Sequence, residues 1–258
     1  MLDFPVSSWS QGMRAAHWVW VFALAIALPG LEGQGIKDLA HRKAPVPVSN
    51  GGKRHLRQAK TTPASRMASA STEMERQVIA EMSLARTQPK HFATFLHQIR
   101  SHYEGDLFKE PGRIAIRTNE GVQALDQAIE FLETTTPAGP LEWNEILFLA
   151  ARDHARDQSR TGATGHGGSD GSTMSQRIGR YGSWIGSAAE NIDYGDSDAR
   201  RIIINLIVDD GVPSRGHRHN IFNKDLKVAG AAIATHPTYR NMCVIDFAAA
   251  TLPKRGNG

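Results

Sequence analysis

The sequence predicts an α+β fold, with the option of an αβα layering in which helices cover both faces of one sheet. Three observations lead there. Apolar residues recur at helical spacing between residues 71 and 132 and again between 142 and 160. Two apolar or alternating runs near the C-terminus, 228–235 and 242–249, have the length and composition of strands. The chain of 258 residues, 40% hydrophobic and 22% charged, is long enough for one well-cored domain plus extra segments, and no internal repeat interrupts it.

The first 33 residues have the layout of a secretory signal peptide. Arg14 is followed by the apolar run Ala15 to Leu28, then by Pro29, Gly30 and Gly33. The run is shorter than the roughly 20 residues a membrane-crossing helix needs. Residues 34–70 carry eight Lys or Arg against the single acid Asp38, with several prolines and glycines and few large apolar groups. Such a segment cannot bury enough surface to offset the cost of ordering it, so it reads as a basic disordered linker or pro-segment. The formal net charge of +4 therefore belongs to an arm, and nucleic-acid binding by the folded part is not expected. No transmembrane helix is expected once the leader is removed.

The folded domain is expected over 71–252, followed by a tail at 253–258. Ser71 or Thr72 caps a first helix, with Met74, Val78, Ile79, Met82 and Ala85 on one face. Pro89 ends it, and 91–99 forms a second helix. Residues 105–112 read as a loop. Asn119 opens a third helix carrying Val122, Leu125, Ile129 and Leu132, closed by Pro137, Gly139 and Pro140. A longer helix spans 142–160, with His154 at its centre set aside as a surface or satisfied core residue. A glycine-rich loop at 162–171 bears His166. A short helix at 173–181 and an extended piece at 187–194 follow. Residues 198–208 are ambiguous: their β-branched content suggests strand, while their length and the Asp198 cap favour helix. The last two runs make a β-hairpin. The single cysteine, Cys243, lies in an apolar run and reads as a buried thiol, so no intrachain disulfide supports the fold.

The residues that carry chemistry fall in order along the second half: Gly165-His166-Gly167-Gly168, then Ala189-Glu190-Asn191-Ile192, then Asp209-Asp210, then Gly216-His217-Arg218. Imidazole and carboxylate can share a proton, a metal ion or a polar ligand. With the first helix ending Leu84-Ala85-Arg86-Thr87-Gln88-Pro89 and with Leu141-Glu142-Trp143-Asn144, these stretches resemble the CAP superfamily of cysteine-rich secretory, antigen 5 and pathogenesis-related proteins, also called the SCP domain. The resemblance covers about residues 72–249, with an insertion around 100–136.

That resemblance implies a three-layer αβα sandwich with a small antiparallel sheet, and a cleft lined by a tetrad of His166, Glu190, Asp210 and His217. Asp209 competes with Asp210 for the second acid. The cysteine-poor sequence places it nearer the bacterial and protist-type members. His166 and His217 are the expected metal ligands, with zinc the expected ion. Against this stands a purely structural network of histidine–carboxylate hydrogen bonds. The resemblance implies a secreted, extracellular protein that binds a small ligand, with a lipid, a sterol or a cell-surface component as partner. The competing reading is a metal-assisted, peptidase-like hydrolase using Glu190, His166 and His217.

Three other features are expected to be inert. His219 falls off the face of His217 and reads as surface. Gly167-Gly168-Ser169-Asp170-Gly171 fits the G-x-S-x-G nucleophile elbow, but no core strand precedes it. Asp193, Asp196 and Asp198 read as a helix cap and a solvated loop rather than a calcium site.

Overall fold

The computed structural model describes residues 24–26 and 63–254, with side chains from residue 73 onward. Apart from the backbone of 24–26, the expected leader, and most of the basic arm, lie outside the described residues, as does the end of the tail.

In chain order the elements are β1 (Leu24–Ile26), α1 (Pro63–Thr87), α2 (Pro89–Arg100), β2 (Tyr103–Glu104), β3 (Leu107–Phe108), β4 (Ile116–Arg117) and α3 (Val122–Thr134). Then come β5 (Glu142–Trp143), α4 (Glu145–Thr161), α5 (Met174–Gly179), β6 (Gly182–Tyr194), α6 (Ala199–Val208), α7 (Gly216–Phe222), β7 (Val228–His236) and β8 (Arg240–Pro253). The main sheet has the order β1-β6-β8-β7-β5, antiparallel except for the parallel pair β5–β7. A second, three-stranded sheet, β2-β3-β4, forms where the sequence suggested only a loop at 105–112.

Alternation along the strands sorts the core into two halves. Ala189, Ala229, Ala231, Cys243, Ile245 and Phe247 pack on one face with α1, α2, α3 and α6. Ile192, Tyr194, Ala232, Met242 and Val244 pack on the other, against Phe148, Ala151 and Ala155 of α4. The αβα layering is thus built as expected, and Cys243 is a buried thiol.

Local sequence explains most element ends. Helix α1 begins at Pro63, where proline suits a first helical turn, rather than at the expected cap near Ser71. The α4 start is set by Asn144, whose side-chain oxygen accepts from the N–H of Leu147 at 3.1 Å. Residues 142 and 143, expected in that helix, instead form β5. Helix wins at 199–208 because Asp198 accepts from the N–H of Arg201 at 2.9 Å. Five side chains of that helix, Ile202, Ile203, Ile204, Leu206 and Ile207, are buried, each worth about 1.5–3 kcal/mol, which outweighs their weak helix propensity.

Two close fits hold the layers together. A Cβ at Gly230 would lie 2.0 Å from the backbone nitrogen of Phe148, so α4 rests directly on β7 because residue 230 has no side chain. Arg86 of α1, fully buried, donates to the carbonyls of Gly139 (2.6 Å), Ile221 (2.5 Å), Asn223 (2.9 Å) and Leu226 (3.0 Å). One guanidinium thereby ties α1 to α7 and to two loops, and burial lowers its pKa.

Candidate functional site: two histidine–carboxylate pairs and an acid-lined cavity

The loop carrying His166 is held from below. Gly165, at φ 99°, turns its carbonyl to His154 Nε2 (2.7 Å) and Gln158 Nε2 (2.5 Å), and its N–H donates to the Tyr194 hydroxyl at 3.0 Å. His166 Nδ1 then meets Glu190 Oε1 at 2.7 Å. The other Glu190 oxygen accepts from Arg177 Nη2 at 2.7 Å, while Arg177 Nη1 donates to the carbonyls of His166 and Ser172, both at 3.0 Å. Glu190 and Arg177 are essentially inaccessible to solvent. Burial pushes the Glu190 pKa up, but the His166 hydrogen bond and the Arg177 charge outweigh it and hold the group below its ordinary range. Directly across the ladder stands Asp246, also fully buried, whose carboxyl has no hydrogen-bond partner among the described residues. Burial and the neighbouring Glu190 charge raise its pKa well above the usual carboxylate range.

The second pair belongs to α6 and α7. Asp209 closes α6 in the left-handed conformation, φ 56°, which aspartate tolerates. Its carboxylate accepts from the backbone N–H of His217 at 2.9 Å and meets His217 Nδ1 at 2.6 Å. The second acid is therefore Asp209. Asp210, favoured on sequence, points away from His217 and accepts from the N–H groups of Asn119 and Glu120, both at 2.8 Å. It fastens the inserted segment instead. The one-residue slip matters because a left-handed residue redirects the chain between the two aspartates.

The two pairs meet β6 at neighbouring residues, 190 and 191. Glu190 points to the α4–α5 face of β6, with Ile192 and Tyr194. Asn191 points to the opposite face, where its amide donates to the His217 carbonyl at 3.0 Å and its oxygen accepts from Asn220 at 2.9 Å. Residues 190 and 191 thus hold the His166 ring and the His217 backbone, respectively, from opposite faces of one strand. A cavity of about 150 Å³ lies on the His217 side, between the inserted β2–β4 sheet and the end of β6 with α6. His217, Asp209 and Asp210 line it; His166 and Glu190 do not.

Zinc fits this donor set poorly. Each histidine has its Nδ1 held by a carboxylate, the arrangement that leaves Nε2 open to a metal, but the two rings alone would supply only two ligands. Among the described residues no three His, Cys, Asp or Glu side chains converge as a metal site requires.

Several participants were missed on sequence. His154 is fully buried within reach of the Glu190 charge, and burial lowers its pKa; its pairing with Gln158 one turn later was the readable hint. Asp246 is a lone acid inside an apolar strand, a signal that was present and passed over. Arg177 left no signal in the local pattern. Asp193 does not lie in a solvated loop: it ends β6 buried, while Asp198 caps α6 as expected. Ser169 is no nucleophile, since its Oγ donates to Asp157 Oδ1 at 2.5 Å and no histidine contacts it. His219 is exposed, as expected.

An αβα sandwich with two histidine–carboxylate pairs set against strand β6 defines the class of protein. The chain belongs to the CAP family, described as the cysteine-rich secretory protein family, whose model matches residues 115–247, just over half of the sequence. Among solved structures it is similar to an outer surface protein of Borrelia burgdorferi, at 20% identity and a TM-score of 0.37, over 45% of this chain and 80% of that one. It is also similar to an extracellular SCP-domain protein of Bacillus anthracis, at 21% identity and a TM-score of 0.35, over 49% of this chain and 39% of that one. No curated protein matches.

Proposed function

We propose that this is a secreted, non-enzymatic binding protein that holds a small extracellular ligand in the cavity beside His217 and Asp209. The leader-like N-terminus and the family's secretory membership support export. The observation that carries the binding reading is a pair of unsatisfied atoms. His217 Nε2 and Asp193 Oδ2 are buried with no hydrogen-bond partner among the described residues, and both residues line the same cavity. Buried polar atoms normally find partners, and a bound molecule supplies them here. His166 Nε2 also lacks a partner among the described residues, but His166 does not line this cavity; its bond to Glu190, which Arg177 holds in turn, fixes the glycine loop to β6.

The hydrolase reading needs Glu190 to activate a water, and that buried carboxylate is already engaged by His166 and Arg177. The test is a thermal-shift and NMR screen of the purified protein against neutral, anionic and cationic amphiphiles, beside peptide and ester substrates. Saturable shifts of cavity resonances without turnover are expected. Turnover that disappears in Glu190→Gln would establish the hydrolase reading instead. Zinc calorimetry is expected to show no saturable binding; binding lost in both His166→Ala and His217→Ala would restore the metal reading.

A further inference from the structure

The cavity beside His217 has a chemically divided lining. One wall is apolar: Ile99, Phe108, Ile204 and Val208, with Ile114 and Ile116 of the inserted segment at its rim. Ile114 and Ile116 are 86% and 39% exposed, so the rim of this wall is open to solvent. The inserted segment is fixed over the cavity by the Arg201–Glu110 ion pair, by Arg113 between Glu110 (3.2 Å) and Asp196 (3.6 Å), and by the Asp210 contacts to Asn119 and Glu120.

The other end is acidic and short of donors. Asp193 and Asp196 share a single amide, Asn205 Nδ2, at 3.3 and 2.5 Å. Asp193 is only 6% exposed, and its Oδ2 has no partner. His217 is 4% exposed and its Nε2 has none either. Asp209 is an acceptor toward His217 Nδ1, so in the neutral ring the proton sits on Nδ1 and Nε2 presents a lone pair. His217 Nε2 is therefore an acceptor, and Asp193, whose pKa burial and the Asp196 charge raise well above the usual carboxylate range, becomes one when a cation beside it favours its charged form. Arg113, Arg117 and Arg201 also line the cavity, but they pair with Glu110, Asp196 and Asp106, and none bonds Asp193 Oδ2 or His217 Nε2. The described residues form no metal site here, which leaves an organic cation.

We propose that this cavity is a binding site for a small amphipathic amine, whose ammonium group donates to Asp193 and His217 and whose short apolar chain lies along Ile99, Phe108 and Ile204. The inference rests on the binding reading above and names its ligand class. The ammonium group matches both the charge and the donor deficit, since it offers three N–H donors and no acceptor. A cavity of about 150 Å³ is smaller than the roughly 300–1,000 Å³ of pockets for drug-sized ligands, which restricts the occupant to a short molecule.

The test compares hexylammonium with hexanol by calorimetry and by NMR of the purified protein. The two probes share their chain and differ in the head group. Hexylammonium is expected to bind at least about tenfold more tightly than hexanol. Asp193→Asn is expected to remove that preference while hexanol binding stays the same. Asp209→Asn is expected to weaken the amine as well, because an amide nitrogen facing His217 Nδ1 drives the ring to the other tautomer, a change visible in its ¹⁵N shifts. Equal affinity for amine and alcohol in the wild-type protein would overturn the amine assignment and leave the binding reading standing. Absence of any cavity response to either probe, or to the wider amphiphile screen, would overturn both. The wild-type comparison is decisive even if a variant fails to fold.

Discussion

Removing the Arg177 guanidinium exposes how much the first histidine pair depends on charge. Arg177→Met keeps the length and apolar stem of the side chain but deletes its hydrogen bonds to Glu190 and to the His166 and Ser172 carbonyls. Arginine and glutamate are 1% and 0% exposed, so water cannot replace the lost partner. Stripping one member from a buried ion pair costs about 3–5 kcal/mol, a large part of the roughly 5–15 kcal/mol that stabilises a domain. For a domain of this size that lowers the melting temperature by roughly 6–20 °C. The assay is urea and thermal unfolding followed by circular dichroism, with Glu190→Gln and the double variant completing a cycle. The double variant should be more stable than Arg177→Met alone, because no charge is then left buried. A loss under about 1 kcal/mol, or strict additivity of the two substitutions, would refute the reasoning.

Two further predictions follow from the same interior. Asp246 has a raised pKa in the folded protein, so its contribution is fully present below the unfolded value of about 3.9 and is lost as pH rises toward the folded value. Asp246→Asn stays neutral throughout; relative to wild type it should gain about 1.4 kcal/mol per pH unit above about pH 4 until Asp246 ionises, and parallel pH profiles in urea unfolding would contradict this. Gly230→Ala places a methyl group against the Phe148 backbone and should cost about 1–3 kcal/mol or more by the same unfolding assay, unless α4 can shift without loss.

Much of the fold was legible because burial imposes periodicity. The helical faces of Val78 and Met82, of Leu125 and Ile129, and the terminal hairpin all followed from spacing. The ambiguous segment at 198–208 resolved as helix through a cap that the sequence displayed, Asp198. The β2–β4 sheet was not legible, because strands of two residues carry no period. The candidate site was read less well. His166, Glu190 and His217 each have the histidine or carboxylate partner that their residue types suggest, but pairing is a matter of three dimensions. Asp209 and Asp210 are indistinguishable by type, and only the left-handed turn at Asp209 decides which one reaches His217. That Glu190 and Asn191 point to opposite faces follows from strand alternation, once β6 is known to be a strand.

The claim on which this account turns is that the ligand end belongs to His217 and Asp193, while His166 belongs to a separate structural cluster. Hexylammonium titrations of His217→Ala and His166→Ala, run side by side, test it most directly. The account predicts that His217→Ala loses most of the amine affinity, whereas His166→Ala keeps it and shows only a lower melting temperature. Equal loss in both variants would mean that the two imidazoles share one ligand, contradicting the separation described here.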